Sequence, residues 1–248
     1  MPQPDETSTS ASAVNVNEVT ATFKAGLPPN FMHYDFDGSA SAASDSGTSF
    51  SVGGEGSSVS LVNSKNGKAI QVHTNFTPWW NGLANSTSPF HVGEVTVTAI
   101  VKLKQTGIIL WGLGPAASNT AMGLVASDAN TVSVVAKKGT STVETLATVT
   151  VTSDLTKGWH FFAVVATENE TTLYVDDMFV SSPNGYSVAI GQQGQLGSFH
   201  GGAFGGSKVG DDGYYLDDWR VYDTALTDKE IHKLRSTLLP PPFVLHLR

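Results

Sequence analysis

The fold is decided by residues 214–231, which read YYLDDWRVYDTALTDKEI. Residues 214–222 are rich in aromatic and β-branched side chains and predict a strand. Regular alternation would place Tyr215, Asp217, Trp219 and Val221 on one face and Leu216, Asp218, Arg220 and Tyr222 on the other. Because both faces carry apolar side chains, we expect this strand to lie in the middle of a sheet.

A short helix is predicted to follow this strand and to close the fold. Thr227 is a candidate N-cap, and Glu230 stands three residues later, the spacing of a capping box. Ile231 and Leu234 continue at a helical spacing.

The rest of the chain predicts short strands separated by turns. Strands are expected near residues 33–36, 59–62, 69–73, 94–103, 107–113, 122–126, 131–136, 144–151, 159–165 and 172–175. Residues 168–170 form a hairpin loop, and residues 179–181 are expected to continue the preceding strand beyond Asp176. Residues 77–82 are interpreted as an aromatic loop, and residues 184–213 as a long loop with one strand at 207–209. The pattern predicts an all-β, two-sheet antiparallel sandwich.

We expect one domain, at residues 16–239. Residues 1–15 are Ser, Thr, Pro and acidic residues without periodicity, which predicts a disordered leader or linker. Residues 240–248 begin with consecutive prolines and predict an extended tail.

Composition excludes several classes of function. The chain has 248 residues, a net charge of −8 and no cysteine. The acidic balance argues against binding to nucleic acids or to anionic membranes. The absence of cysteine excludes disulfides and thiolate metal sites. No run of residues is long and apolar enough for a transmembrane helix. The sequence shows no signal peptide, so if the protein is exported, we expect its signal peptide to have been removed from this form.

Four segments in order resemble one known family. The strand LDDWRVYDTAL at 216–226, followed by TDKEI, is similar to the end of the concanavalin A-like, laminin-G-like jelly roll. HYDFDG at 33–38, GWHFFAVV at 158–165 and TLYVDD at 172–177 resemble its opening and central strands. The resemblance covers roughly residues 31–234 and implies a jelly-roll sandwich with a short C-terminal helix. Secreted bacterial glycosidases and lectin-type modules carry this fold, and sialidase lectin-like domains end similarly.

A catalytic site is not expected. Glucan-cleaving members of the superfamily carry a Glu-x-Asp-x-x-Glu strand, whose paired carboxylates supply acid and nucleophile. Here the close glutamate pair is Glu168 and Glu170, which lies in a predicted turn and lacks the intervening Asp. The histidines show no zinc-binding spacing, and there is no Gly-x-Ser-x-Gly elbow.

Calcium is the candidate cofactor. The resemblance implies a calcium ion near the first and last strands, at Asp37 and Asp217, with Asp218 as the neighbouring candidate. Calcium prefers several oxygen ligands, and a buried carboxylate needs a partner. The alternative is a hydrogen-bond network or an Asp218–Arg220 ion pair.

Two aromatic segments are candidate sugar sites, because aromatic rings can stack on the apolar faces of pyranoses. Trp79 and Trp80 are adjacent and precede Asn81, and an extended segment could not turn both rings inward. A second patch borders the glycine-rich region and contains Phe199, His200, Phe204, Tyr214 and Tyr215. The remaining tryptophans, at 111, 159 and 219, are expected in the core.

The sequence therefore predicts a non-catalytic, lectin-like module of a secreted or cell-surface bacterial protein that binds glycans, with calcium as a candidate cofactor. The alternative is a structural or protein-interaction module without a sugar site. A glycoside hydrolase with an unfamiliar carboxylate pair is the third possibility, and the domain could also be an accessory part of a larger glycosidase.

Overall fold

The protein is described here by a computed structural model covering residues 32–36, 53–55, 61–73, 77–81, 91–114, 121–138, 142–190, 193–198 and 209–239. The predicted leader at 1–15 and the predicted tail at 240–248 lie outside these ranges. The one helix among the described residues is too short to cross a membrane.

The described residues form strands and a single helix. The strands are β1 (Met32–Tyr34), β2 (Gly53–Glu55), β3 (Leu61–Asn63), β4 (Lys68–Val72), β5 (Thr77–Asn81), β6 (His91–Gly93), β7 (Val95–Leu103), β8 (Ile108–Leu113), β9 (Met122–Ala126), β10 (Thr131–Lys138), β11 (Thr142–Thr150), β12 (His160–Ala166), β13 (Thr171–Val175), β14 (Met178–Ser182), β15 (Val188–Ile190), β16 (Gln193–Leu196) and β17 (Tyr214–Tyr222). The helix is α1 (Asp228–Leu238).

Two antiparallel sheets make the sandwich. The eight-stranded sheet has the order β14-β13-β12-β7-β17-β4-β3, with β1 also paired to β17. The seven-stranded sheet has the order β11-β10-β9-β8-β16-β5-β2, and β6 pairs with β15 in a small separate sheet. The expected all-β sandwich is confirmed, and β17 lies mid-sheet as its apolar faces predicted.

The main core lies between the two sheets. Its largest fully buried side chains include Trp111 on β8 and Trp219 on β17. A second apolar cluster lies on the outer face of the eight-stranded sheet, where Ile231 and Leu234 of α1 pack against residues such as Phe161. The expected core position of Trp159 is met in part, because this side chain is half-buried against that second cluster.

The start of α1 has the predicted cap. The Thr227 hydroxyl accepts a hydrogen bond from the Glu230 amide, and the Glu230 carboxylate accepts one from the Thr227 amide at 2.7 Å. These reciprocal bonds satisfy amides that have no partner within the first turn. The helix is thereby fixed directly after β17.

Three expectations about local structure are wrong. Residues 77–81 form strand β5 instead of a loop. Residues 184–213 include β15 and β16 among their described positions. Residues 178–182 do not extend the preceding strand, because Asp176 and Asp177 form a turn and β14 returns antiparallel to β13.

Candidate functional site

A β-bulge interrupts the middle of β17. Asp217 is the partner of Ile100 in β7, but the next aligned pair is Arg220 with Thr98. β17 thus advances three residues while β7 advances two, and the extra residue is accommodated by Asp218, whose φ is +47°. Bulges of this kind redirect side chains and are common beside functional sites.

The bulge changes which face each side chain occupies. Tyr214, Leu216, Trp219 and Val221 all lie in the core between the sheets. The expectation that Leu216 and Trp219 face opposite sides is therefore wrong, because one inserted residue shifts the alternation. Asp217 aligns with Ile100, a member of the cluster beneath α1, so Asp217 lies on the outer face.

Asp218 is held by the side chains of Arg220 and His33. It is 8% exposed, its carboxylate accepts hydrogen bonds from Arg220 Nε and, at 3.0 Å, from Arg220 Nη2, and its Oδ1 lies 3.0 Å from His33 Nε2 on β1. Burial alone would raise the pKa of this carboxyl. Hydrogen bonds from His33 and Arg220, and the charge of Arg220, outweigh burial and hold the pKa below its ordinary value. Asp218 is therefore ionised and joins β1 to β17.

Asp217 has a hydrogen-bond partner on the β3–β4 turn. It is 3% exposed, and its Oδ2 accepts a hydrogen bond from the Ser64 hydroxyl at 2.6 Å. On the same turn, the Asn66 side-chain amide donates to the Leu238 carbonyl of α1 at 2.7 Å. The β3–β4 turn therefore contacts both β17 and the C-terminal end of the helix.

These contacts bear on the predicted calcium site. Among the described residues there is no group of three or more His, Asp or Glu side chains arranged to hold a metal ion. Asp218 does not fit a calcium ligand, because both of its oxygens accept hydrogen bonds from a guanidinium. Asp37 lies outside the described residues, so coordination by Asp37 and Asp217 stays a prediction.

Tyr214 is a core residue, and the expectation that it contacts a ligand is wrong. Its side chain is completely buried, and its hydroxyl donates to the Leu110 carbonyl on the opposite sheet. Burial raises the pKa of this phenol well above its ordinary value, so it remains protonated and acts as a donor. The glycine-rich sequence beside Tyr214 suggested an exposed border, but the ring occupies the first inward position of β17.

A cross-strand row passes through position 79. The register aligns Trp79 of β5 with Gly53 of β2 on one side and with Gln195 of β16 on the other. Gln195 aligns with Gly112, and Gly112 with Gly123. The row continues through Val135 to Thr145, so it crosses every strand of the seven-stranded sheet.

Part of this row lies on the outer face of the sheet. The neighbouring row contains Trp111, Leu124 and Leu196, which belong to the core between the sheets. Because successive residues of a strand face opposite sides, the part of the row from Gln195 through the two glycines to Val135 lies on the outer face. No side chain projects between Gln195 and Val135, since glycines occupy the two intervening strands. Sequence patterning missed this row because its members lie far apart in the chain and are joined only by strand pairing.

Comparison with known proteins identifies the family. No curated protein sequence matches the chain. The family model described as Concanavalin A-like lectin/glucanases superfamily, of the laminin-G type, matches residues 80–232, more than half of the chain. The chain belongs to this superfamily. The resemblance inferred from the four sequence segments is thus confirmed.

Several solved structures have a fold similar to that of the chain. Domain 4 of a GH43 extracellular arabinanase from Geobacillus stearothermophilus, in complex with arabinotriose, has a TM-score of 0.61 at 18% identity, covering 83% of this chain and 98% of that chain. The botulinum neurotoxin serotype D binding domain has a TM-score of 0.63 at 11% identity, covering 84% and 50%. The same toxin domain in complex with N-acetylneuraminic acid has a TM-score of 0.61 at 11% identity. The present chain spans about half the length of the toxin binding-domain chains. At these low sequence identities, the similarity shows a shared fold.

The remaining predicted sugar-site residues are placed in part. His200, Phe204 and Phe199 lie outside the described residues. The backbones of Trp79, Trp80 and Asn81 lie in β5, paired with β16. Tyr215 is half-buried and packs against Trp159, with a ring-centroid distance of 6.3 Å.

The close glutamate pair, Glu168 and Glu170, does not have the arrangement of a glycosidase active site. Glu168 and Glu170 are exposed in the β12–β13 turn, as predicted, and the Glu170 carbonyl accepts a bond from the Thr167 amide. A retaining glycosidase needs two carboxylates that face each other across a bound sugar. A turn that points into solvent does not enclose a substrate.

Proposed function

We propose that this domain binds carbohydrate without catalysis, on the outer face of the seven-stranded sheet. The single observation that carries the proposal is the row in which position 79, a tryptophan, adjoins Gln195 and two glycine positions. A tryptophan offers a flat apolar surface for a sugar ring, and Gln195 offers an amide that can donate to and accept from hydroxyls.

Hydroxyl side chains continue along the same sheet. Ser133 and Thr148 exchange a hydrogen bond at 2.9 Å across β10 and β11, and Thr148 is exposed. A sugar chain extending from position 79 towards β11 would meet these protein hydroxyls, which would form hydrogen bonds with the hydroxyls of the sugar. The proposed ligand is therefore an oligosaccharide that spans several strands.

The comparisons support this proposal through what the similar proteins bind. The arabinanase domain is in complex with arabinotriose, and the toxin domain is in complex with N-acetylneuraminic acid. We propose that the present domain, like these, belongs to a secreted or cell-surface bacterial protein. Its role would be to hold a larger protein or cell at a glycan surface.

A glycan array, followed by titration calorimetry with the best oligosaccharide, tests the proposal. We expect Trp79→Ala and Gln195→Ala each to weaken binding by about tenfold or more, as loss of a central contact does in other interfaces. Phe179→Ala is the matched control, because Phe179 is an exposed aromatic residue on the other sheet. Binding that is unchanged in both site variants would contradict the proposed site.

Calcium is tested in the same titrations. The proposed ligands are Asp37 and Asp217, and calcium would order the loops near the first strand. Binding of sugar that is lost in EDTA and restored by calcium would support a calcium-dependent lectin. Sugar binding that survives EDTA would leave the tryptophan row as the site. An array without any bound glycan would favour the alternative of a structural or protein-interaction module.

A further inference from the structure

Strand β14 is the outermost described strand at one end of the eight-stranded sheet. Within the described part of the chain, β14 pairs only with β13. Met178, Phe179 and Val180 are 44%, 51% and 40% exposed. An edge strand with successive exposed apolar residues is a template for pairing with another strand.

Two other described edge strands, β3 and β11, carry protective features that β14 lacks. At the opposite edge of the same sheet, β3 has Lys68 beside it, whose ammonium donates to Asn63 at 2.6 Å. At one edge of the seven-stranded sheet, β11 is paired through a bulge and carries the exposed Glu144. Bulges and charged residues discourage strand addition. Strand β14 reads MFVSS and contains neither a charge nor a proline.

The turn before β14 is fixed, so the edge is already shaped for pairing. Asp176 adopts a φ of +53°, and its carboxylate accepts bonds from the Phe161 amide at 2.9 Å and lies 2.7 Å from His160 Nδ1. In a two-residue hairpin the residues that flank the turn, here Val175 and Met178, form a hydrogen-bonded pair. Hydrogen-bonded and non-hydrogen-bonded pairs then alternate along the two strands, so Phe179 and Ser181 of β14 belong to non-hydrogen-bonded pairs. The N–H and C=O groups of Phe179 and Ser181 therefore point to the open edge.

Acidic side chains lie at both ends of β14. Asp177 precedes the strand; its side chain is 73% exposed and pairs with Arg235 of α1. Beyond the other end, the Tyr186 amide donates to the Thr167 carbonyl at 2.6 Å, which holds this segment against the turn carrying Glu168 and Glu170. Counted with Asp176, the carboxylates named at the two ends outnumber the cation Arg235, while the strand itself is apolar.

We propose that β14 is a docking edge for an extended segment of another protein, a segment with apolar alternation in its centre and Lys or Arg at its ends. Backbone hydrogen bonds to Phe179 and Ser181 would hold the added strand, as in β-strand addition. Its apolar side chains would pack beside Met178 and Val180, and its basic ends would meet the acidic ends of β14. A second copy of this chain fits less well, because it would bring the same acidic ends and a net charge of −8 to the interface.

A synthetic peptide, Lys-Lys-Thr-Val-Thr-Val-Thr-Lys-Lys, is the probe. It would be titrated into isotope-labelled full chain and followed by amide chemical shifts. We expect shifts concentrated in β13 and β14, and affinity about tenfold higher than for the same peptide flanked by glutamates at low salt. The difference should shrink as salt screens the charges. Shifts concentrated elsewhere, equal affinity for both peptides, or no binding would each overturn the proposal.

Two variants and a control locate the contact. Ser181→Pro removes an outward amide without removing a bond to β13, a position where edge strands tolerate proline, and should abolish binding. Val180→Lys should weaken binding of the basic peptide by about tenfold or more through charge repulsion. Leu61→Lys is the control, because Leu61 is 42% exposed on the opposite edge of the same sheet, and should leave binding unchanged.

Thermal melting would check that each variant is folded. Unchanged binding in both β14 variants would overturn the proposal. So would a dimer of the wild-type chain, measured by sedimentation, that Val180→Lys dissociates, since the edge would then belong to a second copy.

Discussion

Replacing Asp218 by Asn removes the charge that pairs with Arg220 while keeping the shape of the side chain. The two side chains are 12% and 18% exposed, so the pair is largely buried. Breaking a buried pair from one side costs about 3–5 kcal/mol, because the other charge is left without compensation. Asparagine still offers one oxygen to Arg220, and solvent reaches the edge of the pair, so we expect a loss of about 2 kcal/mol. This corresponds to a decrease in Tm of about 4–8 °C for a domain of this size.

The dependence on pH distinguishes this ion pair from simple packing. The pKa of Asp218 is lower in the folded protein than its ordinary value of 3.8. The stabilisation is therefore fully present above that ordinary value and is lost as the pH falls through the lower folded pKa. The wild type and Asp218→Asn should differ in stability at pH 7 and converge as the pH falls below the folded pKa of Asp218.

Urea unfolding monitored by tryptophan fluorescence would measure both effects. Asp177→Asn is the matched control, because the Asp177–Arg235 pair is a surface pair with an exposed carboxylate, and solvent screening should limit its loss to about 0.5 kcal/mol. The double variant with Arg220→Met would give the coupling energy between Asp218 and Arg220. A loss at Asp218 no larger than at Asp177, or a difference that persists unchanged in acid, would refute the reasoning.

Three further changes have expected outcomes. Gly213→Ala should destabilise the fold by several kcal/mol or prevent expression, since the added Cβ would lie 1.8 Å from the Val72 carbonyl oxygen at a φ of +57°; soluble yield and Tm would measure this. Thr227→Ala removes the N-cap of α1 and should cost about 1 kcal/mol in urea unfolding, with Thr227→Ser close to wild type. Tyr214→Phe should cost about 0.5–1.5 kcal/mol, because the Leu110 carbonyl loses the Tyr214 donor but keeps the Gly197 amide at 2.9 Å; an unchanged Tm would show that the Tyr214 bond contributes little.

The sequence predicted the sandwich well because its signals are local. The alternation of residues 94–103 and the Thr227–Glu230 spacing depend on neighbours within a few positions, and β7 and α1 form where they were expected. The apolar character of both faces of β17 also predicted its central place in the sheet correctly. These patterns reflect burial and backbone hydrogen bonding, which a short stretch of sequence already specifies.

The site was predicted less well because its geometry depends on pairing between distant strands. The bulge at Asp218 arises from alignment with β7, and regular alternation cannot reveal it. Position 79 joins Gln195 only through the pairing of β5 with β16. The expected loop at 77–82 was wrong for the same reason, since Pro78 is a turn signal in isolation and is tolerated here within a strand.

The central place of β17 has a consequence for how the protein is made. Strands β1 and β4 both pair with β17, which in turn pairs with β7 on its other side. During synthesis, the first strands would leave the ribosome long before residues 214–222, the segment that connects them to the rest of their sheet. The nascent chain must therefore keep β1 and β4 in solution without their partner, and closure of the sheet becomes a late, long-range step. A ribosome that stalls before residue 214 would release a chain whose two parts of this sheet cannot be joined.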